Sequence, residues 1–146
     1  MSGKILVING PNLNLLGIRE PDVYGAETLD DIETQCRSQA DALGLEMDFR
    51  QSNTEGELVN WVQEARGVFD VLIINAGAYT HTSVALLDAL KAVDLPTFEV
   101  HLSNIHQREE FRRHSYVSKV ALGMICGFGS FGYDMAIQAA ARLVKK

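Results

Sequence analysis

The sequence predicts an α/β domain in which a five-stranded parallel sheet is covered by helices on both faces. Three observations predict it. Strand-like apolar runs alternate with helical stripes along the chain, the runs at Lys4 to Asn9 and Val71 to Asn75 are apolar residue after residue, and the connections are mostly short. A chain of 146 residues fits one domain, 1–146, long enough to bury roughly 70% of the surface its unfolded form exposes.

Lys4 to Asn9 is a β-branched run closed by Gly10-Pro11, which predicts a buried strand ending in a turn. After a long polar, glycine-containing loop, Thr28 is placed as an N-cap with Asp31 three residues on, and Ile32, Cys36, Ala40 and Leu43 form one stripe that Gly44 ends. Met47 to Gln51 alternates apolar and polar, as an edge strand does. Glu55 to Arg66 repeats Leu58, Val59, Val62 and Ala65 on one helical face, and Gly67 stops it. Val71 to Asn75 is the next strand, and Ser83 to Val93 a helix apolar around most of its circumference. Pro96 leads into a strand from Thr97 to Leu102, a short helical patch lies near Arg108 to Arg113, and Val120 to Cys126 with Tyr133 to Val144 completes the fifth unit. Units of this size and number suggest the flavodoxin-like strand order 2-1-3-4-5, whose switch point lies between the first and third strands.

Composition narrows the partners. A formal net charge of -6 opposes binding to a phosphate backbone, because nucleic-acid binders gather Lys and Arg on one face. The two cysteines, Cys36 and Cys126, match neither a disulfide framework nor a zinc site, so a reducing cytoplasm is the simplest compartment. No segment has the length of a membrane span, and the sequence runs from Met1 into a strand without a leader-like pattern.

Ligands of open parallel sheets bind outside the carboxyl ends of the strands at the switch point. Those ends carry Asn12, then Asn75 and His81, then Glu99, His101 and Ser103. Glu99 and His101 stand two apart on one strand and leave the same face; they are either a structural pair or a carboxylate holding a general acid. Arg19 and Tyr24 share the loop after the first strand, bracketed by Gly17 and Gly25. A phenol is too weak an acid to serve as a base at neutral pH unless a neighbouring cation stabilises the phenolate; otherwise the pair is an exposed arginine and a loop anchor. Asn12 and Asn75 either cap turns or donate to an oxyanion or hydroxyl, and His81 and Ser83 are equally placed to cap a helix. Arg112 belongs to a basic run that is either solvated surface or the cation an acidic protein needs to hold an anion, and Asp88 reads most simply as an exposed carboxylate.

Other motifs carry less. Gly127-Phe-Gly-Ser-Phe-Gly132 has the dinucleotide spacing, but it lies in the last βα unit, with no later strand to supply a ribose-binding acid; it reads as a tight turn with close helix packing. Cys126 reads as a buried core thiol. None of Lys4, Lys91, Lys119, Lys145 and Lys146 falls at a strand's carboxyl end, which leaves a Schiff base without a candidate, and the histidines lack metal-ligand spacing.

Taken together, NGPNLNLLGIREPDVYG, QSNTEGELV, INAGAYTHTSVALLDAL, EVHLSNIHQREEFRRHS and GFGSFGYDMAI resemble the type II 3-dehydroquinate dehydratases over nearly the whole chain. The resemblance implies a flavodoxin-like fold and a hydro-lyase of the shikimate pathway, serving aromatic amino acid and chorismate biosynthesis or quinate breakdown. It implies reversible loss of water from 3-dehydroquinate to give 3-dehydroshikimate through an enolate, with no metal, organic cofactor or Schiff base. Tyr24 matches the family's base, Arg19 its activating arginine and His101, partnered by Glu99, its proton donor, with Asn12 near the enolate. Asn75, His81, Asp88, Leu102, Ser103 and Arg112 match substrate contacts. The resemblance further implies a cytoplasmic homododecamer built from trimers, in which Asp88 completes a neighbouring subunit's site. Thr54, Leu87 and Lys119 depart from the usual pattern, and none is a reacting group. A binding protein on the same scaffold and an imine-forming dehydratase are the alternatives.

Overall fold

A computed structural model describes residues 3–18, 20, 22 and 26–145. Its sheet is parallel throughout, in the order β2-β1-β3-β4-β5. The central strand β1 (Lys4–Asn9) pairs with β2 (Glu46–Gln51) on one side and β3 (Val71–Asn75) on the other, followed by β4 (Thr97–His101) and β5 (Gly123–Cys126). The chain leaves β1 toward β2 and returns past it to β3, so the connections diverge where Asn9 and Asn75 stand side by side. The expected order and switch point are both present.

Successive side chains of a strand point to opposite faces, and the core divides accordingly. Ile5, Val7, Ile73 and Val100 pack under α1 (Leu29–Ala42) and α4 (Phe131–Val144), whereas Leu6, Ile8, Leu72 and Ile74 pack under α2 (Glu55–Glu64) and α3 (Val84–Val93). Each such fully buried aliphatic side chain contributes about 1.5–3 kcal/mol of transfer free energy. The uninterrupted apolar runs of β1 and β3 follow from that double burial.

Two helix starts match their sequence signals. Thr28 Oγ1 accepts from Asp31 N–H at 3.1 Å and Asp31 Oδ2 accepts from Thr28 N–H at 3.0 Å, the reciprocal capping box expected of α1. Gly44 follows that helix at φ +72°, and Ser83 Oγ accepts from Leu86 N–H at the start of α3. Among the described residues no helix is long and apolar enough to cross a membrane.

Several boundaries differ from the sequence reading: β2 begins at Glu46 rather than Met47, and α2 ends at Glu64 rather than Arg66. β4 ends at His101 rather than Leu102, and α4 begins at Phe131, two residues before Tyr133. β5 begins at Gly123, because Val120 and Ala121 donate their N–H groups back to Val117 O at 3.1 and 3.0 Å and close a turn instead of extending the strand. Cys126 is only half-buried, since it lies on an edge strand; Cys36, on the inner face of α1, is the fully buried thiol, and burial pushes its pKa up to about 12. The glycine-rich segment is a tight turn, with Gly127 and Gly129 at φ +93° and +56°, and a Cβ on Gly132 would lie 3.3 Å from Val100.

No long helix joins β4 to β5. Three short 3-10 turns, Ile105–Gln107, Glu110–Arg112 and Val117–Lys119, fill that connection, and the last of them lies over the face of β4 that carries Glu99 and His101.

Candidate active site

The floor of the site is two loops pressed together at the switch point. Gly10 N–H donates to Asn75 O at 2.8 Å, and a Cβ at residue 10 would lie 2.3 Å from Ala76 O, so only glycine allows this approach. Asn12 takes a left-handed conformation, φ 68°, which asparagine tolerates better than most residues. Its backbone N–H donates to Asn53 Oδ1 at 2.9 Å, while Gln51 Nε2 donates to Gly10 O at 3.1 Å. The end of β2 therefore clamps the loop that carries Asn12.

Seven of the expected residues, Asn12, Asn75, His81, His101, Leu102, Ser103 and Arg112, line one cleft above this floor, with Arg108 beside them. Glu99 lies behind His101, at 0% exposure. Asp88 is exposed on α3 and does not line the cleft of its own chain. Tyr24 and Arg19 lie outside the described residues.

Glu99 stands beside Ile74, one residue before the end of β3, so His101 projects past that strand into the cleft. His101 Nε2 lies 2.5 Å from Glu99 Oε2. Ser115 Oγ donates to the same oxygen at 2.6 Å and Ser118 Oγ donates to Oε1. Burial alone would raise the Glu99 pKa, but the hydrogen bond and charge of His101 and the two serine hydroxyls outweigh it and hold the carboxyl below its ordinary value. The pair is a buried carboxylate against an imidazole, with Nδ1 left as the ring nitrogen not bonded to Glu99.

Asn75 is fixed by a buried relay. Its Nδ2 donates to Tyr133 Oη at 2.9 Å, that hydroxyl donates to Asn9 Oδ1 at 2.6 Å, and Asn9 Nδ2 donates to Arg50 O at 3.1 Å. Tyr133 is fully buried, which pushes its pKa up and keeps it a hydroxyl. Asn75 Oδ1 also accepts from Gly77 N–H at 3.3 Å, so it caps its turn and lines the cleft at once.

His81 Nδ1 lies 2.8 Å from His114 O, and a carbonyl only accepts, so that nitrogen carries the proton. Burial lowers the His81 pKa; the His114 carbonyl opposes the shift, and the charges of His101, Arg112 and His114 add to it. A neutral ring with a lone pair on Nε2 results, suited to accept from a ligand hydroxyl. Arg112 Nε pairs with Glu109 at 3.2 Å and the guanidinium lies 5.0 Å from the Phe111 ring, so it is partnered at the cleft wall. Gly127 and Gly129 donate to the carbonyls of His101 and Leu102 at 3.4 and 3.0 Å, which anchors the end of β4.

Sequence reasoning placed Asn9 at the strand end by the site without its bond to Tyr133, and passed over Ser115, Ser118, Tyr133, Gln51, Asn53 and Arg108 as parts of this site. Arg108 shares the basic run that singled out Arg112. The others act through long-range contacts that no local spacing announces.

A family model described as dehydroquinase class II matches residues 3–141. The 3-dehydroquinate dehydratase of Dinoroseobacter shibae is 64% identical over 133 residues, 91% of this chain and 89% of that protein. The 3-dehydroquinate dehydratase 2 of Pseudomonas aeruginosa is 59% identical over 138 residues, 94% of this chain and 93% of that one. A catabolic 3-dehydroquinase of Verticillium alfalfae is 56% identical over 145 residues, 99% of this chain and 97% of that one. The crystal structure of a type II dehydroquinase from Propionibacterium acnes matches with a TM-score of 0.93 at 42% identity, over 97% of this chain and 98% of that one.

Proposed function

The chain belongs to the class II dehydroquinase family and is a 3-dehydroquinate dehydratase, and from that premise we propose that it eliminates water through an enolate, with Tyr24 as base and His101 as acid. Family membership sets aside the binding-protein alternative. The observation that carries the proposed chemistry is the Glu99–His101 pair, buried behind and opening into the cleft that Asn12, Asn75 and Ser103 line.

The reaction breaks a C–H bond α to the ketone and the C–O bond of the β-hydroxyl. Tyr24 as phenolate takes the α-proton, with the Arg19 guanidinium favouring the phenolate. The electron pair moves onto the ketone oxygen, where Asn12, held by Asn53 and Gln51, stabilises the enolate directly or through water. As the enolate collapses, the hydroxyl departs with the proton of His101 and leaves as water. The Leu102-Ser103 segment receives the carboxylate, and Asn75, Arg112 and neutral His81 meet the ring hydroxyls. Asp88, exposed on α3, serves the cleft of a neighbouring subunit in a dodecamer built from trimers.

The test is turnover of 3-dehydroquinate by purified protein in a chelating buffer, read from the ultraviolet absorbance of the conjugated product. Turnover that persists in chelator, and that borohydride added with substrate does not abolish, is the expected result. Loss of activity to chelator would overturn the metal-free route, and inactivation by borohydride would show an imine.

A further inference from the structure

Glu99 has two oxygens and three donors. His101 and Ser115 share Oε2, and Ser118 Oγ takes Oε1, while Ser118 N–H donates to Ser115 Oγ at 3.1 Å and locks the two serines together. Ile74 on β3 and Met124 on β5 stand beside Glu99 in the sheet register, and the fully buried Val117 lies in the turn that carries Ser118. A buried carboxylate with its oxygens satisfied stays ionised, whereas one that loses its donors takes a proton from the nearest acid. Here that acid is His101.

We propose that Ser115 and Ser118 are positioning residues for the dehydration: their hydroxyls hold Glu99 as a carboxylate and so keep the proton of the pair on His101, where the leaving hydroxyl needs it. The proposal rests on the reading of His101 as the acid. It gives a reason for the 3-10 turns that replace a helix between β4 and β5. The short turn Val117–Lys119 carries Ser118 and follows Ser115, so this connection brings two side-chain hydroxyls to the carboxylate.

Among the described residues, the other charged and titratable groups facing the pair come from four directions. His81 approaches from the turn Gly77–His81, Arg108 and Arg112 from the cleft wall, His114 from the loop before Ser115, and Cys126 from β5, where it is in register with His101. None of them donates to Glu99, so deleting the serine hydroxyls removes a direct bond that these groups do not replace.

The experiment is the pH profile of kcat for Ser115→Ala/Ser118→Ala, Ser118→Ala and Ser118→Thr beside the wild type, with His101→Ala as the control for the underlying reading. In the double variant the basic limb of kcat, where His101 loses its proton, is expected to move downward by about one pH unit, with kcat at the wild-type optimum lowered by about tenfold and KM within about threefold. Ser118→Ala is expected to show part of the shift, and because Ser118 is exposed as a residue, its loss tests the idea even where the double variant fails to fold. Ser118→Thr, which keeps the hydroxyl, is expected to return the limb toward wild type. An unmoved basic limb with kcat intact, whatever the fall in melting temperature, would make the serines merely structural and overturn the proposal. A His101→Ala variant with undiminished kcat would instead remove the reading on which the proposal stands.

Discussion

The hydroxyl of Tyr133 accepts from the side-chain amide of Asn75 at 2.9 Å and donates to Asn9 at 2.6 Å, so a residue of the closing helix decides which way Asn75 faces in the cleft. An asparagine amide presents a donor on one side and an acceptor on the other. With Nδ2 committed to Tyr133, the oxygen is the side turned toward Gly77.

Tyr133→Phe removes that hydroxyl and leaves two buried amide groups short of a partner. A loss of about 1–3 kcal/mol is expected, seen as a fall of roughly 3–10 °C in melting temperature, together with a raised KM as Asn75 loses its orientation. Thermal denaturation and steady-state kinetics on the same preparation check both, and an unchanged KM would show that Asn75 holds its place without the relay.

His101→Ala is expected to lower kcat by about 10²–10⁴-fold, since hydroxide is a poor leaving group without an acid. Tyr24→Phe is expected to remove most of the turnover while substrate affinity stays within about tenfold. Kinetics resolved into kcat and KM separate these roles from binding: a loss confined to KM in either variant would make that residue a contact only.

Acid is expected to destabilise the protein in two stages. The His81 pKa is lowered by folding, so below its ordinary value of 6.5 the unfolded chain takes up a proton that the folded one refuses, and stability begins to fall there. The Glu99 pKa is also lowered, so its contribution is intact above the ordinary 4.5 and is lost as pH falls further, through the folded value. Melting temperature against pH should show both declines; His81→Gln should weaken the first, and Glu99→Gln the second. A profile that stays the same in both variants would mean that neither group governs acid stability.

Mixing tests the proposed assembly. Tyr24→Phe and Asp88→Ala are each expected to be severely impaired, but dissociating and reassembling them together should create sites with both groups intact, and activity should return. If Tyr24 and Asp88 serve the same chain's cleft, a mixture verified to exchange subunits stays as inactive as its parents.

Much of this molecule was legible because burial writes itself into composition. Strands covered on both faces, β1 and β3, read as unbroken apolar runs, and the capping box at Thr28 announced α1. The edge strand β5 was harder: Val120 and Ala121 are apolar because they pack against the core, and hydrophobicity alone does not say whether their N–H groups join a sheet or close a turn. The cleft residues at strand ends were legible from the switch-point rule, and the residues that hold them were not. Ser118 reaches Glu99 across 19 positions and Tyr133 reaches Asn75 across 58, and periodicity carries no trace of contacts at such separations.

The bond between Tyr133 and Asn9 spans 124 positions. The strands β1 to β5 all precede the closing helix in the chain, so the bond from Asn75 to Tyr133 forms only when that helix docks. A chain broken off before α4 would keep every described cleft residue and still lack the hydroxyl that Asn75 and Asn9 share.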